Sequence, residues 1–272
     1  MLRTVPLDPK KNYIFGVHPH GIISLSVQAN FCNNFAGMSE HFPGLDYRLC
    51  TLDTNFNLPF VRDWLVSLGV ISASRAAITS AVKKGKSVMI VVGGAAEALE
   101  AVPGTETRLV LGKRKGFVRL ALSLGADLVP VYCFGENELF SQVINPEGSR
   151  LRKLQEWGKK TFGFSIPIFY GRGVFNHDVG MMPRRVPLTT VVGKPLGAPH
   201  IPEPTDKDVD KWHGAYLDAL KAVFEQHKEL AGVKENALRI LGLDDEIDAA
   251  SPEEEEKKTK KGKEEKESKK DS

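Results

Sequence analysis

The sequence predicts an α/β fold with a mostly parallel central sheet flanked by helices. Three observations point there. Short apolar runs alternate with helix-like segments over most of the chain, the pattern of strands joined by helical crossovers. With 272 residues, 42% of them hydrophobic, there is enough apolar material for one large core. A long amphipathic segment, Asp206–Leu230, places Val209, Trp212, Tyr216, Leu220, Val223 and Phe224 on one face, as a helix packed on a sheet requires.

Taken in order, Tyr13–Val17, Arg48–Leu52, Ser87–Val92, Leu128–Phe134, Ile166–Tyr170 and Leu188–Val192 read as strands. Ile22–Phe31, Arg62–Leu68, Ala76–Lys84, Gly116–Leu124, Ser149–Phe162 and Asp206–Leu230 read as helices. The last opens at Thr205, an N-cap residue, with Asp208 in the acidic slot of a capping box. Residues 1–12 form a polar lead, 13–243 the folded domain and 244–272 a tail. Glu253–Ser272 holds eight acidic residues and eight lysines without a large apolar side chain, so it cannot bury a core.

The net charge of +3 is too small to argue for nucleic acid. The three cysteines, Cys32, Cys50 and Cys133, are scattered and suggest neither a disulfide framework nor a cysteine–zinc site. The sequence has no apolar run of membrane-spanning length. It also lacks a Walker A loop, a Gly-x-Gly-x-x-Gly fingerprint, a Gly-x-Ser-x-Gly elbow and a His-Glu-x-x-His pair.

Chemistry concentrates where strands end. The first strand runs into His18-Pro19-His20-Gly21. An imidazole is the natural general base near neutral pH, and Gly21 permits close backbone approach. His18 and His20 fit one ring at substrate with the other supporting it, and equally a turn of two hydrogen-bonded histidines. Gly93-Gly94-Ala95-Ala96-Glu97 follows another strand; there Glu97 orients a histidine or binds a hydroxyl, or is simply an exposed junction residue. Arg108, Lys113, Arg114 and Lys115 precede a helix start at Gly116, an arrangement suited to a phosphate group or to plain solvated surface. Glu136 and Asn137 follow the strand Leu128–Phe134.

The ordered series His18-Pro19-His20-Gly21, Gly93-Gly94-Ala95-Ala96-Glu97, Arg114-Lys115-Gly116-Phe117, Phe134-Gly135-Glu136-Asn137, Gly171-Arg172-Gly173-Val174-Phe175 and Thr190-Val191-Val192-Gly193-Lys194-Pro195 resembles the type-2 diacylglycerol acyltransferase family. That family includes monoacylglycerol and wax-alcohol acyltransferase relatives, and the resemblance covers roughly residues 13 to 230. It implies a glycerolipid-acyltransferase-like layered fold and esterification of diacylglycerol to triacylglycerol. Acyl-CoA is the implied co-substrate, with no bound cofactor and no metal. His20 becomes the catalytic base, with His18 and Glu97 beside it. Gly21, Gly93, Gly94, Arg114, Lys115, Glu136 and Asn137 become substrate-binding. The same chemistry on monoacylglycerol, a long-chain alcohol or a sterol is the alternative, as is a non-catalytic lipid-binding protein.

The implied location is the endoplasmic reticulum membrane or a lipid droplet, with homo-oligomerisation left open. Lys269 and Lys270 resemble a dilysine retrieval address. Two features depart from the related pattern. The fifth residue after His20 is Leu25 and after His18 is Ile23, where related glycerolipid acyltransferases carry an orienting Asp. Only 12 residues precede Tyr13, where family members carry a hydrophobic membrane segment, so an N-terminally short form, a truncated gene model or a peripheral membrane protein is expected.

Overall fold

The computed structural model describes residues 1–32, 37–142, 168–176 and 179–242. Seven strands form one sheet: β1 (Leu2–Arg3), β2 (Tyr13–His18), β3 (Tyr47–Thr51), β4 (Ile71–Ser72), β5 (Ser87–Val91), β7 (Asp127–Phe134) and β10 (Thr189–Val192). Their order is β1-β10-β7-β2-β5-β3-β4. All neighbours pair in parallel except β10 with β7. The mostly parallel α/β sheet expected from the sequence is therefore present, and β2 lies at its centre.

The pleat of β2 and β7 divides the core in two, since successive side chains point to opposite faces. Ile14, Leu128, Tyr132 and Phe134 face α4 (Arg75–Lys83), α6 (Gly116–Leu124) and α7 (Asp206–His227). Phe15, Val17, Val129 and Val131 face Val27, Phe31, Met38, Phe42 and Leu65. The Thr205 hydroxyl accepts from the Asp208 N–H, and the Asp208 carboxylate accepts from the Thr205 N–H, so the expected capping box starts α7.

Several elements differ from the sequence reading. Gly94–Glu100 is a helix, α5, where a strand–loop junction was expected. Ile22–Phe31 is not one helix. Residues 21–23 turn, Ser24 takes a left-handed backbone, and α1 (Leu25–Val27) passes into a π-helical turn, Gln28–Cys32. Its N-terminal amides are satisfied by a side chain more than a hundred residues away, Glu136, which local pattern cannot reveal. A separate parallel pair, β6 (Glu106–Val110) with β11 (Ala237–Leu241), was also missed, as were the edge strands β1 and β4, the short helix α2 (Met38–His41) and the strand β8 (Ser141–Gln142), which pairs antiparallel with β9 (Phe169–Tyr170). Ser149–Phe162, Ile166 and the tail from 243 onward lie outside the described residues.

Gly16 shows how tightly α7 is set against β2. A methyl group at this position would overlap the Tyr216 hydroxyl, which donates to the Gly16 carbonyl at 3.0 Å. Gly16→Ala is expected to destabilise the fold by about 1–3 kcal/mol, the usual cost of overpacking. Urea denaturation checks this, and Tyr216→Phe in the same background should recover part of the loss.

Candidate active site

His20 leaves the end of β2 and lines an apolar cavity of about 470 Å³. Its Nδ1 lies 3.0 Å from the Gly21 carbonyl oxygen. A carbonyl only accepts, so Nδ1 carries the hydrogen and Nε2 is the unprotonated nitrogen. Burial holds the His20 pKa below the ordinary imidazole value, with the Gly21 carbonyl opposing part of that shift. The ring is therefore neutral near pH 7 and its Nε2 lone pair is basic. The fifth residue after His20 is not needed to orient it, because the neighbouring backbone does so.

Glu97 is 1% exposed. It reaches His20 through the main chain: Oε1 accepts the His20 N–H at 2.6 Å and Oε2 accepts the Val110 N–H at 2.8 Å. Burial pushes its pKa up to about 7, against the two amides and the positive charge of Arg114. The helix α5 turns Glu97 back under the turn, and Gly93, at φ 109°, has room for no side chain against that carboxylate.

Glu136 mirrors this arrangement on the other side. Its Oε1 accepts from the Leu25 N–H at 3.1 Å and its Oε2 from the Ser26 N–H at 2.7 Å. Burial again raises the carboxyl pKa. Gly21, at φ 61°, is pressed against Glu136 as Gly93 is against Glu97. The Ser24 hydroxyl donates to the His20 carbonyl at 2.8 Å and closes the turn.

His18 has a different environment. It is fully buried on the α7 side of β2, where its Nε2 lies 2.9 Å from the Tyr216 hydroxyl. That hydroxyl gives its proton to Gly16, so it accepts from His18 Nε2–H. Burial pushes the His18 pKa down to about 3. The two imidazoles therefore do not share the cavity: His20 lines it, while His18 anchors the strand end beneath α7.

The remaining predicted site residues divide in the same way. Gly94 lines the cavity. Arg114 is exposed and contributes its field at Glu97. Lys115 pairs with Asp210 at 2.7 Å, and Arg108 with Glu106 and Glu100 at 3.3 and 3.6 Å. Asn137 has a buried Oδ1 without a hydrogen-bond partner among the described residues. Sequence reasoning missed the apolar lining supplied by Leu49, Trp64, Leu65 and Val70; its only signal was apolar residues clustered around β3 and the following helix α3 (Val61–Ser67).

The family model described as diacylglycerol acyltransferase matches residues 1–241. A Dictyostelium discoideum protein named diacylglycerol O-acyltransferase 2 is 47% identical over 230 residues, which are 84% of this chain and 69% of that protein. The Bos taurus 2-acylglycerol O-acyltransferase 1 is 44% identical over 87% of this chain and 71% of its own length. The human acyl-CoA wax alcohol acyltransferase 1 is 45% identical over 86% of this chain and 72% of its own. No solved structure matches the chain. With a family match across nearly every described residue and relatives of this identity, the chain belongs to the diacylglycerol acyltransferase family.

Proposed function

We propose that this protein is an acyl-CoA-dependent O-acyltransferase that esterifies diacylglycerol to triacylglycerol, on a glycerolipid-acyltransferase-like fold, with His20 as general base. The observation that carries the mechanism is the His20 tautomer: Nδ1–H held by the Gly21 carbonyl, with Nε2 basic, in the wall of an apolar cavity. Nε2 takes the proton of the acceptor hydroxyl as its oxygen attacks the thioester carbonyl. The tetrahedral intermediate collapses, the C–S bond breaks and CoA leaves as a thiolate. That thiolate takes the proton from the His20 imidazolium. The ester, free CoA and neutral His20 result. Glu97 and Glu136 act on this sequence by holding the turn, and Arg114 is assigned to the anionic CoA head. Relatives of nearly equal identity are named for 2-acylglycerol and for wax alcohol, which supports acceptor exchange within the same chemistry as the second reading.

The same reading brings the protein to a lipid surface. Among the described residues no helix is long and apolar enough to cross a membrane. Two phenylalanines, Phe60 and Phe175, are nevertheless 86% and 91% exposed, each at positive φ. A bulky residue rarely adopts that backbone. Leu58, Val66, Val174 and Met181 are exposed on the same two segments, while Trp64 and Phe169, from those segments, line the cavity. Apolar side chains presented in this way suit the interfacial region of a membrane or lipid droplet.

Three outcomes test this reading. Microsomal protein given labelled oleoyl-CoA should form triacylglycerol from diacylglycerol, and His20→Ala should lower kcat by at least about a hundredfold, as loss of a general base does. Product from monoacylglycerol or hexadecanol alone would move the acceptor and keep the mechanism. The acid limb of kcat/KM should show two inflections. One lies near 7, where Glu97 gains a proton as the pH falls, and one lies below the ordinary imidazole value, from His20. Activity is complete above both and is lost as pH falls. Glu97→Gln should lower kcat and leave only the lower inflection. Phe60→Ser with Phe175→Ser should weaken sedimentation with phosphatidylcholine–diacylglycerol liposomes by about tenfold or more, given ~1.5–3 kcal/mol for each buried phenylalanine.

A further inference from the structure

Helix α7 reaches the site at a second place. Three of its residues, Asp210, His213 and Tyr216, recur three apart and share one face. Tyr216 joins α7 to the end of β2 through His18 and the Gly16 carbonyl. His213 joins α7 to the end of β6. Its Nε2 lies 3.2 Å from the Leu111 carbonyl oxygen, and the residue is buried. A carbonyl only accepts, so Nε2 carries the hydrogen. Phe117 packs edge-on against both His213 and Tyr216, with ring centroids 6.5 and 4.9 Å apart.

Leu111 follows directly on Val110, whose N–H donates to Glu97 Oε2 at 2.8 Å. The other oxygen of that carboxylate holds the His20 N–H at 2.6 Å. A path of buried polar contacts therefore runs from His213 through the Leu111–Val110 backbone and Glu97 to His20. We propose that His213 is a positioning residue for acyl transfer: it fixes the end of β6, so that the Val110 amide stays on Glu97 and Glu97 stays on the His20 turn. The proposal rests on the acyltransferase reading above and adds a residue that does not line the cavity.

The other ties on this segment hold it less firmly. Lys115 pairs with Asp210 of α7, but these side chains are 43% and 57% exposed, and an exposed pair contributes little. The Arg114 N–H donates to the Leu111 carbonyl at 2.9 Å, a bond within the turn that cannot fix the turn against α7. The Gly112 N–H donates to the Leu241 carbonyl at 2.9 Å, but β11 is nowhere fully buried and pairs with β6 alone among the described strands. The buried side chains of Leu109 and Leu111 set depth without direction, since apolar contact is non-directional. The His213 bond is both buried and directional.

The electrostatics agree with that role. Burial holds the His213 pKa below the ordinary imidazole value; Lys115 adds to this, while the Leu111 carbonyl and Asp210 oppose it. The ring is neutral near pH 7 and donates through Nε2. The groups acting on Glu97 are the His20 and Val110 amides and the Arg114 charge, all of which favour the carboxylate over the acid. If the Val110 amide moves away, Glu97 takes its proton at a higher pH.

The test compares His213→Leu, which removes the donor and keeps apolar bulk, with His213→Gln, which keeps an N–H donor. Val223→Ala, at a buried position on the same helix, loses packing alone and serves as the reference. The full chain is assayed with oleoyl-CoA and diacylglycerol across pH. His213→Leu should lower kcat at pH 7 by about tenfold, the scale of one hydrogen bond lost from a fixed geometry. Its KM for diacylglycerol should not change, and its upper inflection should move upward from about 7. His213→Gln should restore much of both. Val223→Ala should lower the urea midpoint and leave the inflection in place. An unmoved inflection in folded His213→Leu overturns the proposal, as does an equal loss in His213→Gln.

The infrared carboxyl band of Glu97 supplies a readout that needs no turnover. It is assigned by difference from Glu97→Gln, because Glu136 is also buried with a raised pKa. Its protonation midpoint should rise in His213→Leu and return in His213→Gln. If the unaltered protein forms no ester from any acceptor, the functional reading fails. The band then still decides the positioning: a shifted midpoint supports it, and an unshifted one overturns it.

Discussion

A carboxylate taken out of water is costly unless its oxygens are satisfied, and Glu97 and Glu136 meet that condition with the same turn. Between them they accept the N–H groups of His20, Val110, Leu25 and Ser26. The turn between β2 and α1 is thereby clamped from both sides, and His20 sits at its centre. Local hydrogen bonding alone would leave these amides open. The carboxylates draw in three other parts of the chain: α5 carries Glu97, β6 carries Val110, and the turn after β7 carries Glu136. Glycines complete the arrangement, because Gly93 and Gly21 leave the space that the carboxylates occupy.

The sheet determines where this clamp can form. β2 lies between β7 and β5, so the residues following those three strands meet at one edge. Parallel pairing brings their carboxyl ends to the same side, the place where open α/β sheets collect ligands. Beneath that edge, α7 locks the end of β2 through the Tyr216 hydroxyl, which joins His18 to the Gly16 carbonyl. The strand is held up to His18, and His20 follows two residues later. An imidazole on so fixed a support has little orientational freedom to lose.

Burial acts on the two histidines in the same direction and with different consequences. It removes His18 from acid–base chemistry in the physiological range. In His20 it lowers the pKa less decisively, and the ring remains in contact with the cavity. The difference follows from the alternation of β2, which sends His18 under α7, and from the turn, which carries His20 out of the sheet. Outside the cavity, Phe60 and Phe175 present further apolar surface to solvent.

Much of this was legible in the sequence because it is written in local pattern. Apolar runs mark β2, β5 and β7, the 3.6-residue spacing marks α7, and Thr205 with Asp208 marks its start. The motif residues His20, Glu97 and Glu136 could be picked out because polar groups at strand ends are chemically conspicuous. Their roles were a different matter. That Glu97 would hold a main-chain amide and not an imidazole, that Glu136 would cap α1, and that His18 would pair with Tyr216 all depend on contacts between residues 77 to 198 positions apart. The sequence by itself determined the inner strands of the sheet, the long helix and the residue types at the site. Only the tertiary structure decided which atoms meet, because a buried charge or imidazole takes its role from the partners that packing brings to it.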